Sequence, residues 1–186
     1  DLVREGYQRV WEARFNDAAV FVGRDSASTL ESKLPLLDRV TYQKTLGFMS
    51  AKAARVESLT LWMGEHLRST APIDELSACA ASRLVYADLV SDVVKEFPEL
   101  QGQMGGVYAR KDGLDERIAL AIEQFYFPVA AKTPVPATTE AAVVSLAGKL
   151  DSLAGCFAAG LIPTGSADPY ALRRQALGVV RIVLEK

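Results

Sequence analysis

The sequence predicts an all-α fold. Three observations predict it: apolar residues recur at helical spacing along most of the 186 residues, runs of alternating β-branched residues are missing, and proline, glycine and capping residues punctuate the periodic stretches. About eight helices follow, with no internal repeat of roughly 20 to 50 residues.

From Leu2 to Val22, the residues Val3, Tyr7, Val10, Trp11, Phe15 and Ala18 share one helical face, with Arg4, Arg9 and Arg14 between them. A short helix follows around Leu30 to Asp38, then a loop through TYQKTLG. A longer helix runs from about Ser50 to Arg68, with Ala54, Leu61, Trp62 and Leu67 as inward candidates. The next starts in APIDEL, where Asp74 and Glu75 suit the positive end of the helix dipole, and continues through SACAASRLVYADLVSDVVKEF to Pro98. ELQGQMGGVYARKDG holds a short helix that its glycines break or pack tightly. DERIALAIEQFYF is a helix ending at Pro128, and AAKTPVPATT is an extended loop. Thr138 or Thr139 caps the helix of EAAVVSLAGKLDSLAGCFAAG. In the last element, Asp168 caps a helix whose first position is Pro169.

Composition bounds the function. With 49% hydrophobic and 24% charged residues the chain can build its own core. No run is expected to reach the roughly 20 apolar residues of a membrane span, and DLVREGYQRV lacks a signal pattern, so a soluble, cytoplasmic protein without a membrane partner is expected. Cys79 and Cys156 read as small buried thiols. The net charge of −2 excludes a broad nucleic-acid face, so any RNA contact must be local. A start at Asp1 and an end still helical in pattern read as a segment of a longer polypeptide.

The chemistry is equally bounded. One histidine, His66, excludes a multi-histidine metal site, and no nucleophile motif stands beside it. It reads as a solvent-facing helix-end residue. Asp88 and Asp92 lie one helical turn apart, but two carboxylates alone make a weak cation site and read better as salt-bridging or solvated groups. GQMGG has neither a preceding strand nor the lysine-threonine end of a nucleotide loop. No catalytic or metal-ligating set emerges.

Two stretches, YADLVSDVVKEFPELQGQMGGVYA and LAGKLDSLAGCFAAGLIPTGSADPYALRRQALGVVRIV, resemble the β subunit of the bacterial two-subunit glycyl-tRNA synthetases. VREGYQRVWEARFNDAAVFVGRD and LESKLPLLDRVTYQKTLGFMSAKAARVESL are similar to it as well, so the resemblance covers almost the whole chain. It implies a partnership with an α subunit that uses ATP and magnesium to make glycyl-adenylate, and with tRNA(Gly), whose recognition rests mostly on the β subunit. No cofactor is implied for this segment itself. The resemblance further implies a degenerate HD-phosphohydrolase type of helical domain over residues 49–186, with 1–48 as a helical segment packing on it. In metal-dependent members of that superfamily a histidine, a His-Asp pair and a later aspartate hold the cation. Here those positions fall on Lys52, Ala87 with Asp88, and Gly148, where the glycyl-tRNA synthetase family usually has aspartate, so an ion pair with Lys52 is expected to be missing. A non-catalytic portion supporting tRNA recognition is expected; the alternatives are an active phosphohydrolase and a pure α-subunit docking module.

With the last helix starting at Pro169, Leu172, Ala176, Val179 and Val183 form its apolar stripe. Arg173 is then placed at the core edge to pair with Asp151 or Asp88. Arg174 and Arg181 point outward and are the candidates for tRNA phosphate contact.

Overall fold

The computed structural model describes residues 2–165 and 167–186; helices joined by turns and loops make up most of it, with one two-stranded hairpin. Helix α1 spans Leu2–Asp25 and ends on its own last residue. The buried Asp25 carboxylate accepts the backbone N–H groups of Asp92 and Val93 at 2.8 and 3.0 Å and the Tyr108 hydroxyl at 2.9 Å. That anchors the C-terminal end of α1. The remainder of α1 keeps the expected stripe but leaves it uncovered: Val3, Tyr7, Val10, Trp11 and Phe15 are all more than half exposed.

Helix α2 (Leu30–Lys33), capped by Thr29, passes into a 3₁₀ turn at Leu34–Arg39 that buries Leu37. The expected loop through TYQKTLG is a small antiparallel hairpin, β1 (Thr41–Gln43) with β2 (Gly47–Phe48), closed by Gly47 at φ +84°. Helix α3 (Met49–Leu67) follows without a gap. Its buried face is Met49, Lys52, Ala53, Val56, Thr60 and Met63. The sequence reading put Ala54, Leu61 and Trp62 inward; the first is exposed and the others are 45% and 55% exposed. Small residues and a lysine stem make the inner face, so hydrophobicity alone sets the wrong phase.

The single helix expected over 72–97 is three pieces. Helix α4 (Glu75–Leu84) is capped by Asp74, a 3₁₀ turn follows at Ala87–Val90, and α5 (Asp92–Glu96) restarts on Ser91. The cause is side-chain competition for the backbone: Ser91 Oγ accepts the Val94 N–H at 3.2 Å and donates to the Asp88 carbonyl at 2.6 Å. Asp88 and Asp92 therefore do not share a helix face. Asp92 meets Arg24 and Lys95, whereas Asp88 is fully buried.

A 3₁₀ turn at Pro98–Leu100 leads to α6 (Gln103–Lys111) and α7 (Glu116–Glu123). The glycines of GQMGG pack rather than break α6: a Cβ on Gly105 would stand 2.7 Å from Ile122 Cγ2, and one on Gly106 2.7 Å from Glu123 Cβ. Helix α8 (Thr139–Ala158), capped by Thr138 Oγ1 on the Ala141 N–H, is the centre of the core. By length and composition it could cross a membrane, contrary to the expectation that no run comes near. Here α3, α4, α7 and α9 pack around it, and a largely apolar helix is what a central position requires.

Helix α9 spans Leu172–Glu185 and does not begin at Pro169. Asp168, Pro169 and Tyr170 form a turn closed by the Ala171 N–H on the Asp168 carbonyl, and Ala171 at φ +51° breaks the helical path. Asp168 still caps: its carboxylate accepts Leu172 N–H and Arg173 N–H at 2.8 and 3.0 Å. The buried line is Leu172, Gly178 and Ile182, not Leu172, Ala176, Val179 and Val183.

Candidate cavity between the third, eighth and ninth helices

A cavity of about 570 Å³ lies where α3, α8 and α9 meet the hairpin and the segment after α7. Helix α8 contributes Ser145, Gly148, Lys149 and Ser152 to it, spaced so that all four share one face. Helix α3 adds Lys52, and α9 adds Arg174 and Gln175. Tyr42, Tyr86, Phe125, Tyr126 and Tyr170 make much of the wall.

Two buried lysines border this space and are held differently. Lys52 Nζ stands 2.7 Å from Asp151 Oδ2 and 2.7 Å from Ser152 Oγ, and lies 4.3 Å over the Tyr42 ring. Arg55 closes the same carboxylate from outside at 2.6 Å. Burial pulls Lys52 below the ordinary lysine range although Asp151 opposes it. Burial pushes Asp151 up, but hydrogen bonds from Arg55 and Lys52 outweigh this and hold it below the usual carboxylate range. Position 148 makes no ion pair, but Lys52 is paired all the same, with Asp151 one helical turn beyond Gly148.

Lys149 has no carboxylate. Its ammonium donates to the Phe127 carbonyl and to Ser145 Oγ, each at 2.7 Å, with a third, longer contact of 3.4 Å to the Phe125 carbonyl. Its stem crosses Gly178 of α9, where a Cβ would stand 2.8 Å from Lys149 Cε. Burial without a countercharge brings its pKa down to about 7.

The positions that hold a cation in metal-dependent HD proteins do not fit one. Lys52 is a cation tied to Asp151, and Ala87 has no donor side chain. At Gly148 a Cβ would stand 2.3 Å from Phe125 Cζ, so the ring fills the volume an aspartate would need. Asp88 is turned to the backbone: its Oδ2 accepts the N–H groups of Gly102 and Gly105 at 2.6 and 3.1 Å, while Oδ1 is buried without a hydrogen-bond partner. Burial pushes its pKa up to about 6 against those two bonds. Among the described residues no group of three or more His, Cys, Asp or Glu side chains is arranged to hold a metal ion.

The arginines require correction. Arg173 pairs with neither Asp151 nor Asp88; it is exposed and donates to the Gly165 carbonyl at 2.9 Å. Asp151 is already taken by Lys52 and Arg55, and Asp88 by the start of α6. Arg181 does not point freely outward. It pairs with Glu185 at 2.7 Å and reaches the carbonyls of Ala130, Ala131 and Thr133 at 3.4, 3.0 and 2.8 Å. Arg174 is exposed at the cavity mouth, with no hydrogen-bond or ion-pair partner among the described residues. The phase of α9 explains Arg173: the buried line of Leu172, Gly178 and Ile182 lies on the face opposite it, whereas Arg174 and Arg181, seven residues apart, share a flank of that line. His66 lies in the last turn of α3, exposed and stacked on Trp62 at 4.1 Å. Cys156 is buried and Cys79 half-buried, both as free thiols.

Phe125, Lys149 and Arg55 were not singled out from the sequence. Lys149 has a signal, a lone charge within the apolar run AAVVSLAGKL, where a lysine in the core must find hydrogen-bond acceptors. Phe125 had none, because its role is to occupy space left by a glycine remote in sequence.

Fold and cavity together define an all-helical protein in which the described cavity is lined by lysines, serines and aromatic rings rather than by a cluster of metal-ligating side chains. Comparison with known proteins gives the family: residues 1–186 match the glycyl-tRNA synthetase beta subunit family over their whole length, and the chain belongs to it. It is 48% identical over 185 residues to the glycine-tRNA ligase beta subunit of Oleidesulfovibrio alaskensis, which takes in 100% of this chain and 26% of that protein. The corresponding subunit of Nitratidesulfovibrio vulgaris strain Miyazaki F is 48% identical over 99% of this chain and 26% of its own. That of Neisseria meningitidis is 46% identical over 97% and 26%. The chain thus spans about a quarter of the length of the curated relatives it matches.

Proposed function

We propose that the chain is a non-catalytic helical module, of degenerate HD type, within a glycyl-tRNA synthetase β subunit. It supports tRNA recognition and assembly with the α subunit while tRNA(Gly) is charged with glycine; ATP and magnesium chemistry belongs to the α subunit. The observation that carries the non-catalytic reading is the exchange of a metal site for packing: Lys52 bound to Asp151, and the Phe125 ring in the volume beside Gly148. The observation that carries a local tRNA contact is Arg174, an exposed guanidinium with no hydrogen-bond or ion-pair partner among the described residues.

The assembled enzyme tests both. Arg174→Ala should weaken tRNA binding similarly across tRNA sequences and lower the slope of log K against log salt by about one unit. Unchanged affinity and slope would sink the contact. Calorimetry with Mn²⁺ should show no stoichiometric site that Asp88→Asn removes. A second reading, docking of the α subunit, is favoured by the uncovered apolar stripe of α1. Hydrogen-exchange protection of α1 on adding the α subunit would support it; equal exchange would not.

A further inference from the structure

We infer that the outward face of α9 is an interface within the β subunit itself, covered by an amphipathic helix with acidic side chains that belongs to the same polypeptide and lies outside these 186 residues. Neither the Arg174 contact nor docking through α1 is needed for it.

Helix α9 has two apolar faces. Leu172, Gly178 and Ile182 are buried, whereas Ala176, Leu177, Val180, Val183 and Leu184 recur at helical spacing on the other side. That second face is bare: Leu177 is 47% exposed, Val180 53%, Val183 65% and Leu184 79%. The apolar stripe expected from the sequence, Leu172, Ala176, Val179 and Val183, falls between the two faces, as the mean of both must. Helix α9 thus leaves more apolar side chains exposed than it buries, which is the pattern of a helix packed from two sides. An apolar face of this extent marks a contact surface.

The charges select the occupant. Arg173 lies on the bare face, its side chain donating only to the Gly165 carbonyl at 2.9 Å, and Arg174 and Arg181 run along one edge. The one acid of α9, Glu185, already pairs with Arg181 at 2.7 Å. A second copy of α9 would set arginines against arginines, so self-association is opposed by like charge. An RNA strand would meet mainly apolar side chains, which hold no phosphate. What fits is a helix whose apolar stripe meets Ala176, Val180 and Val183 while its carboxylates meet Arg173 and the arginine edge. Chain able to supply it exists in the family: about three quarters of each curated relative lies outside the matched region. Cover from the same polypeptide also keeps the face dry before any α subunit arrives, which a partner in trans cannot do.

The test uses the intact β subunit, with and without the α subunit. In Val180→Cys and Leu177→Cys the introduced thiol should react with iodoacetamide at least about 100-fold more slowly in the folded subunit than in urea, at every protein concentration and before the α subunit is added. A thiol on an uncovered face would react within about ten-fold of its rate in urea. Arg173→Lys places an amine where a carbodiimide can join it to a neighbouring carboxylate, and the cross-linked peptide found by mass spectrometry should come from the same chain, outside these residues. Arg173→Glu should speed labelling at Val180→Cys about ten-fold by repelling the acidic helix, whereas Arg173→Lys should leave it unchanged. Slow labelling only after the α subunit is added, or a cross-link into it, overturns intrachain cover in favour of docking in trans. Protection that grows with β-subunit concentration overturns it in favour of a second copy, and fast labelling throughout shows the face to be free. None of these outcomes bears on the Arg174 contact, which is read from tRNA affinity.

Discussion

The two ends of one cavity bury the same charged group by opposite means. At one end Lys52 meets Asp151, itself shared with Arg55; at the other Lys149 meets only carbonyl and hydroxyl oxygens. The first arrangement balances charge and makes each partner depend on the other. The second satisfies hydrogen bonds but leaves a net charge in a low-dielectric place, so its proton is loosely held. The two lysines thus differ in whether removing a neighbour is ruinous or mild.

The sharpest way to break that contrast is Asp151→Ala. It leaves Lys52, with a side chain only 4% exposed, as an unpaired buried charge, and should cost about 3 to 5 kcal/mol in urea unfolding. A loss under about 1 kcal/mol would mean that the pair is not what holds Lys52. Gly148→Asp, between the two ends, drives a side chain into the Phe125 ring and should cost about 3 kcal/mol by overpacking, with no gain of Mn²⁺ affinity in calorimetry. Arg181→Ala extends the contrast to a cation that uses carbonyls and a carboxylate together. It should cost about 1 to 2 kcal/mol and speed hydrogen exchange in the loop of Ala130 to Thr133.

Lys149→Met should change stability by about 1 kcal/mol or less at pH 7, because the desolvated charge removed offsets the lost bonds to Phe127 and Ser145. The pH profile separates the two terms. In the fold Lys149 titrates near 7, and in the unfolded chain near its ordinary 10.5, so between these values the unfolded state holds more protons. Stability contributed at this site therefore rises with pH from about 7 and levels off near 10.5, and the rise is absent in Lys149→Met. The groups facing the amine are the carbonyls of Phe125 and Phe127 and the Ser145 hydroxyl; Lys52, Arg174 and Glu99 share the cavity. A flat profile for both proteins would show that the charge is solvated after all. Smallest of all, Arg173→Ala and Arg174→Ala should each stay within about 0.5 to 1 kcal/mol in thermal melts, since both side chains are exposed.

Much of the helical plan was legible because caps and breakers act locally. Thr138 before α8, Asp74 before α4 and Pro98 after α5 do what their side chains do in any context. The site was legible in part: Asp151 and Asp88 were singled out as important acids, yet with the wrong partners. Asp88 was assigned to a helix face, whereas Ser91 and the glycines of α6 recruit it as a cap between elements. Arg173 is expected to meet Asp151 or Asp88 because the apolar stripe Leu172, Ala176, Val179 and Val183 lies about one residue out of phase with the face of α9 that is buried, Leu172, Gly178 and Ile182.

What the amino-acid order determined alone is the helical class and the acidic balance that denies a broad nucleic-acid face. Each depends on residue type or near-neighbour spacing, which three-dimensional packing cannot alter. Tertiary structure decided which cation meets which oxygen. Lys52 and Asp151 are 99 residues apart, and Lys149 and the Phe127 carbonyl 22 apart. A pairing across such distances is chosen by the angle at which α3, α8 and α9 cross, and that angle follows from small residues such as Gly178, where a Cβ would meet Lys149, and from the Phe125 ring against Gly148.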